Sequence, residues 1–438
     1  MAQDIAADVL RKASDVCDEA EVFEEWGEVR SVEFEYNSLK QVKTRQFRGI
    51  GLRVVDDGRL GFSSSTDLRD PGAIIRRARS SAQFGDNAAF DLPSAPSHLP
   101  DVRTSDPEVL RVEPEDMVEM GQEALEMSRD ANDGYLFEAQ LSRKTHNRRV
   151  LNSTGLDTSY ETTSMSALVG IEHFTDDGLL EVHEQKNWGR PFESATDLTE
   201  KILEKMDRGS TVVEARNEEL PFIFTPKAAS VILNPVLLAA NGKLVQKGSS
   251  VLRGKLGQQV IDERISITDD ASIDYAPASG PVDCEGVPAT RTPIIEDGVL
   301  QNYLLDLQTA GLMETRTTGH GYRSYNGRPS PSSTNTILAA GEHDVGGMYA
   351  GLDRGIIVDQ VLGSGQSNVL AGEFSVNIAL GYLVEQGEIQ GRVKDCMVAG
   401  NSYEVLSNVR AISEEREWQG SNLLPSICMG GMKLAARS

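Results

Sequence analysis

The sequence predicts an α+β fold rich in antiparallel sheet, with an N-terminal helix-and-hairpin domain ahead of a larger β-rich C-terminal domain. Three observations lead there. Single helices alternate with groups of strands, which argues against a doubly wound α/β sheet. Four similar hairpin signals sit between apolar runs, two before and two after residue 215. The spacing of these units is too irregular for a solenoid.

The elements follow in order. Ile5, Val9 and Leu10 lie at helical spacing. Val29, Ser31, Glu33 and Tyr36 then sit among alternating polar and apolar residues. Gly49–Val55 runs through Asp56-Asp57-Gly58 and out past Leu60 and Phe62. Asp-Gly between apolar runs marks a hairpin, because Gly accepts the positive φ of a tight turn. Asp70-Pro71-Gly72 places a cap and a first-turn proline ahead of Ile74, Ile75 and Ala78, which predicts a helix. Pro93, Pro96, Pro100 and Pro107 lie in an Asp- and Ser-rich stretch that reads as a linker. A helix is expected over 114–129, strands from Phe137, a hairpin over 164–182 around Asp176-Asp177-Gly178, and a helix over 195–206 ended by Gly209.

The third segment opens with Thr225-Pro226 capping a helix through Ile232, Leu233 and Leu238. Pro235 should kink this helix and Gly242 should stop it. Hairpins are expected around Glu296-Asp297-Gly298 and Gln386-Gly387, a helix over 403–412, and a short apolar strand over 427–434. The expected division is a domain at 1–90, a linker at 91–110, a central α+β domain at 111–212 and a C-terminal domain at 215–438.

Composition narrows the function classes. The 438 residues carry 43 Lys and Arg against 67 Asp and Glu, a net charge of −24, which disfavours direct binding to a nucleic-acid backbone. Only 13 of the basic residues are Lys. A diffuse acidic surface poor in Lys suits a high-salt cytoplasm, and it equally suits an ordinary soluble acidic protein. No apolar run approaches the roughly 18 residues of a membrane span. The first ten residues lack a basic stretch followed by an apolar one, so a cytoplasmic location is expected. Cys17, Cys284, Cys396 and Cys428 are scattered, without the spacing of a disulfide framework or a zinc ribbon.

Familiar catalytic motifs fail on inspection. Gly248 to Lys255 has one residue too many for a phosphate-cradling loop, and Leu256 stands where a Ser or Thr would hold magnesium. Gly319-His320-Gly321 and Gly363-Ser364-Gly365 do not continue to a third Gly at dinucleotide-binding spacing. No G-x-S-x-G elbow exists. His320 and the hydroxyls of Ser332 and Ser333 could serve an autonomous hydrolase, though a structured loop explains them as well. The six histidines include no pair at metal-binding helical spacing. His183-Glu184 starts such a motif, but in an alternating strand the two side chains point to opposite faces, and a half-exposed strand is expected.

A set of ordered phrases carries more information. The first half holds Gly51-Leu52-Arg53-Val54, Asp57-Gly58 and Gly61-Phe62-Ser63-Ser64-Ser65-Thr66-Asp67-Leu68. The second holds Asp297-Gly298-Val-Leu-Gln-Asn-Tyr303-Leu-Leu-Asp306, Arg328-Pro-Ser-Pro-Ser-Ser-Thr-Asn335, Gly372-Glu-Phe-Ser375, Gly381-Tyr-Leu-Val-Glu385 and Gly387-Glu388-Ile389. Val393-Lys394-Asp395, Gly400-Asn401, Pro425-Ser426 and Gly431-Met432 complete the series. Together they resemble the TldD/TldE (PmbA) family, once called modulators of DNA gyrase, over nearly the whole chain.

The resemblance implies a metalloprotease system. Its TldD-type chains carry a His-Glu-x-x-x-His helix ahead of a basic Gly-Ser/Thr-Ser phrase, with a further Cys ligand near the C-terminus. Here Lys247-Gly248-Ser249-Ser250 follows a helix whose end reads Ala239, Ala240 and Asn241. Arg416-Glu-Trp-Gln-Gly420 lies where the Cys loop is expected, and Cys428 reads as a buried small hydrophobe. The chain therefore resembles the TldE/PmbA side. The resemblance implies no metal or catalytic residue of its own, and a TldD-like partner that bears zinc in a heterodimer acting on flexible peptides. A homodimer of the chain alone is the alternative assembly. Polar residues expected to line a peptide cavity are His320, Arg323, Asn326, Arg328, Ser332 and Asn335. A binding protein without hydrolytic activity, such as a gyrase modulator, is the remaining alternative.

Overall fold

A computed structural model describes residues 4–363 and 367–436; part of the Gly363-Ser364-Gly365 loop lies outside the described residues. The first half is built from α1 (Ile5–Ser14), β1 (Glu19–Glu35), β2 (Ser38–Asp56), β3 (Arg59–Ser65), α2 (Pro71–Ala82), α3 (Pro114–Ala131), β4 (Tyr135–Asn152), β5 (Asp157–Thr175), β6 (Gly178–Trp188) and α4 (Thr196–Gly209). Its six strands form one antiparallel sheet in the order β3-β2-β1-β4-β5-β6. The segments 1–90 and 111–212, expected as separate domains, share that sheet. β1 runs beside β4 from Glu21↔Asn152 to Phe34↔Ala139. Pairing across so long a separation leaves no local mark in the sequence. The proline-rich connection is pinned rather than loose: Asn152 donates to Pro93 O at 2.7 Å, and Arg103 Nε meets Asp274 at 2.7 Å.

The second half contains β7 (Val212–Val213), β8 (Glu218–Phe224), α5 (Pro226–Ala239), α6 (Gly242–Gln246), β9 (Ile267–Asp270), β10 (Arg291–Glu296), β11 (Val299–Leu300), α7 (Leu307–Leu312), β12 (Gly321–Tyr322), β13 (Ser330–Pro331) and β14 (Thr336–Leu338). It continues with α8 (Val345–Ala350), β15 (Arg354–Leu362), β16 (Glu373–Glu385), β17 (Glu388–Val393), β18 (Cys396–Asn401), α9 (Ser402–Val405), β19 (Val409–Gln419) and β20 (Asn422–Ala436). The main sheet runs β11-β10-β9-β14-β20-β8-β15-β16-β17-β7, and β19 pairs with β20. β18 joins β16 back to β20, so β20-β8-β15-β16-β18 form a closed circuit. β12 and β13 pair separately.

Burial explains the layering. Ala20, Val22, Ile50, Leu52 and Val54 pack against α1 and α2 through Val9, Ile74 and Ala78. Val32, Phe34, Leu141 and Met165 pack against α3 and α4 through Met117, Ala124 and Ile202. That cluster continues into the second half through Ile223, Ile357 and Leu380, so one apolar core ties both sheets together.

Three expectations are corrected. α5 passes Pro235 and ends at Ala239, while Gly242 opens α6 instead of stopping a helix; Asn241 caps it by accepting from Lys243 N at 3.0 Å. The helix expected over 403–412 is only α9, followed by β19. Val409 and Ile412 pair with Met429 and Ile427 of β20, and that burial overrides helical spacing. The final strand starts at Asn422 rather than Ile427 and is central, not short.

Candidate functional site

α5 is positioned by its own pattern. Pro226 occupies the first turn, and Ile232, Leu233 and Val236 enter the core of the second half. Its end is locked in place. Ser250 Oγ donates to Ala239 O at 2.6 Å, Leu304 N to Ala240 O at 2.9 Å, and Gly242 N to Leu304 O at 2.8 Å. A Cβ on Gly242 would fall 2.7 Å from the backbone oxygen of Leu304, so only glycine allows this approach.

Ala239 and Ala240 are 1% and 0% exposed. Asn241 is fully engaged: its Oδ1 caps α6 and its Nδ2 donates to Pro331 O at 2.6 Å. Two buried methyl groups and a committed amide do not fit a metal ion. Among the described residues, no group of three or more His, Cys, Asp or Glu is placed to hold one. Cys428 lies buried in β20, where burial raises its thiol pKa, and Gly420 turns the β19–β20 hairpin at φ 61°.

A cavity of about 530 Å³ opens beside α6. β2 and β3 supply Arg53, Leu60 and Gly61, α6 supplies Lys243 and Gln246, and Lys247 follows. Asp306, Gln308, Thr309 and Leu312 of α7 and its cap face them, with Arg328 and Pro329 closing the wall. At its floor Arg53, 5% exposed, holds two fully buried carboxylates: Glu285 Oε1 at 2.6 Å and Glu21 Oε2 at 2.9 Å. Arg323 takes the other oxygen of Glu21, and Leu307 N donates to Glu285 Oε2 at 2.8 Å. Asp306 caps α7 by accepting from Thr309 N at 2.7 Å. Burial pushes the Glu285 carboxyl up against the pull of Arg53; Asp283 nearby is also pushed up, by burial and then by Glu285. This cluster joins β1 and β2 of the first sheet to loops of the second half.

The six expected cavity residues divide sharply. Arg328 alone among them lines the cavity. His320 is buried, its ring nitrogens 3.0 Å from Asp269 Oδ1 and 2.9 Å from Thr318 Oγ1. Arg323 is buried over the Phe23 ring. Asn335 is buried, donating to Asp270 O and Ser279 Oγ. Asn326 is exposed beside Ser324, and Ser332 is exposed with its hydroxyl on Ser333 O. The ring nitrogens of His320 face Thr318 and Asp269 rather than a serine, and the hydroxyl of Ser332 bonds to Ser333 O, so this geometry lends no support to a Ser332–His320 pair.

His183-Glu184 is also more than a half-exposed strand. The two do face opposite ways, but Glu184 is buried against Lys205 at 2.7 Å and Lys227 at 3.5 Å. Asp359 completes that group at 2.9 Å from Lys205. Sequence reasoning overlooked Arg53, Glu21 and Glu285. The signal was a charge inside an otherwise buried strand, Gly51-Leu52-Arg53-Val54-Val55, since a lone buried charge needs a partner.

Comparison with known proteins places this architecture. A family model described as the PmbA/TldA metallopeptidase C-terminal domain matches residues 217–436, half of the chain. A second, described as PmbA/TldA metallopeptidase domain 1, matches residues 20–82. The chain belongs to the PmbA/TldD family of metallopeptidases. Metalloprotease PmbA of Escherichia coli O157:H7 is 25% identical over 99% of this chain and 96% of its own length. An uncharacterized protein of Methanocaldococcus jannaschii is 27% identical over 92% of each chain. The crystal structure of TldE from Thermococcus kodakarensis, 24% identical, shares the fold with a TM-score of 0.91 over 99% of this chain and 100% of that one. No helix among the described residues is long and apolar enough to cross a membrane.

Proposed function

We propose that this chain is the metal-free subunit of a two-chain, cytoplasmic metallopeptidase, and that a TldD-like partner supplies zinc and the general base. The observation that carries this reading is the end of α5. Where the family resemblance calls for imidazoles and a carboxylate, the chain offers the buried methyls of Ala239 and Ala240 and the committed amide of Asn241. An aliphatic group neither binds a metal nor activates water. The subunit's part is then to shape the enclosure and hold an extended peptide, with the cavity beside α6 as the polar wall nearest to the missing motif.

Metal content and peptide cleavage test the proposal. The purified chain should retain no stoichiometric zinc and cleave no unfolded peptide. Co-expression with a His-Glu-x-x-x-His chain of similar length should yield a complex that does both. Stoichiometric zinc together with proteolysis by the single chain would overturn it.

A further inference from the structure

The first sheet has two unlike faces. One carries Val22, Val32 and Leu52 and is packed under helices. The other can be read across the strands, rung by rung. Lys43, Ser31, Ser142 and Ser166 stand side by side, then Arg45, Val29, Lys144 and Ser164, then Phe47, Gly27, His146 and Thr162, then Gly49, Glu25, Arg148 and Tyr160. Across the first three rungs Lys43 and Arg45 of β2 and Lys144 of β4 flank Ser31, Val29 and Gly27 of β1. Ser31, Ser142, Lys144, Thr162 and Ser164 are half-buried, and Lys43 and Arg45 are exposed. At the fourth rung Tyr325 descends onto Gly49 and ends the open stretch.

The cations on this face form no salt bridge among the described residues, although Glu33 on the next rung acts on Lys43 and Glu25 acts on Lys144. Lys43, Arg45, Lys144 and Arg148 have no carboxylate at salt-bridge distance among the described residues. On the opposite face of the same strands, Arg30 meets Glu28 at 2.7 Å, Arg48 meets Glu24 at 2.6 Å and Arg143 lies 3.8 Å from Glu28. Arg148, half-buried, reaches only the Tyr160 hydroxyl, at 3.4 Å. Lys144 Nζ lies 5.8 Å from the Phe47 ring centre, and burial, then Arg148, holds its pKa down. The one carboxylate on these rungs, Glu25, lies 3.0 Å from His146, whose pKa burial lowers. In a chain of net charge −24, cations without a salt bridge on β2 and β4, either side of β1, are a local reversal of sign.

We propose that this face binds the acidic side chains of an extended peptide, with Lys43, Arg45 and Lys144 as the carboxylate-recognising groups and Phe47 as an apolar wall. A nucleic-acid backbone carries similar charge, but the surrounding acidic surface opposes a long polyanion, whereas a short acidic segment feels mainly the local cations. The inference names a substrate class for the peptide-holding role proposed above and rests on that reading.

The test uses the purified full chain alone, without partner or metal, so its outcome is separate from that of the subunit proposal. Two fluorescein-labelled, amidated, unstructured peptides are compared by anisotropy: one alternates Glu and Ser, the other Gln and Ser. The Glu peptide should bind about tenfold more tightly at low salt, and the difference should shrink as salt rises. Lys43→Gln/Arg45→Gln/Lys144→Gln should abolish the preference, and Lys255→Gln, an exposed site elsewhere, should keep it. Should the triple variant not fold, Lys43→Glu/Arg45→Glu, at exposed positions, should reverse the preference. Equal binding of both peptides, retention of the preference in the folded variants, or tighter binding of a single-stranded DNA oligomer at the same salt would each overturn the inference.

Discussion

Replacing Arg53 with Met should unfold the protein far more readily, and the structure says how much and why. The guanidinium is the shared partner of Glu21 and Glu285, both fully buried, at 2.9 and 2.6 Å. Met fills a similar volume but leaves two carboxylates facing each other without it. Removing one partner of a buried ion pair costs about 3–5 kcal/mol. Arg323 and Leu307 N still hold one oxygen of each acid, which favours the lower end of that range. Burial already raises the Glu285 carboxyl, so the variant should relieve its strain by taking up a proton there. A raised folded pKa gives stability that is present at low pH and lost as pH rises through it. The deficit should therefore be smaller near pH 5 than at pH 8. Arg53→Met/Glu285→Gln should recover roughly 1–2 kcal/mol at neutral pH, because the stranded charge is gone. Urea unfolding followed by tryptophan fluorescence measures each value. A loss under about 1 kcal/mol, or a double variant weaker than the single one, would refute the reasoning.

Two further outcomes follow from other contacts. Gly51→Ala places a Cβ 2.3 Å from the backbone oxygen of Tyr325, so the 321–329 loop must lift from the sheet; limited proteolysis should then cut within that loop, at a rate well above that of the unaltered chain. Burial, and next the charge of Lys227, lowers the pKa of His183 from 6.5 to about 4. Its stabilising contribution is complete above pH 6.5 and lost as pH falls toward 4. At 1.36 kcal/mol per unit that amounts to roughly 2 kcal/mol once partial exposure is discounted, and His183→Gln should flatten the stability profile across that window.

Local chemistry was legible and long-range chemistry was not. Asp57-Gly58, Asp297-Gly298 and Gln386-Gly387 all turn hairpins, at φ 51° and 70°, 46° and 77°, and 51° and 78°, because a positive φ restricts which residues can stand there. The caps at Asp70 and the proline starts of α2, α3 and α5 were readable for the same reason. By contrast, residues 403–412 show helical spacing, and only the presence of β20 beside them makes β19 a strand. The site divides along the same line. The 320–335 loop announces itself by polar composition, yet several of its polar groups are taken up by partners elsewhere in the chain, as His320 is by Asp269 and Asn335 by Ser279. The residues that build the cavity floor, at positions 21, 53, 285 and 323, come together only when both halves are folded.

The closed circuit of the second sheet has a consequence for how the molecule is made. β20 pairs with β8, β14, β18 and β19, and every one of them precedes it in the chain. During synthesis the six-stranded sheet of the first half can assemble as it leaves the ribosome, but the later strands wait with unpaired edges until residues 422–436 arrive. A nascent polypeptide stalled before Asn422 therefore exposes β8 and β19 together, and it is this species that chaperones and proteases would meet.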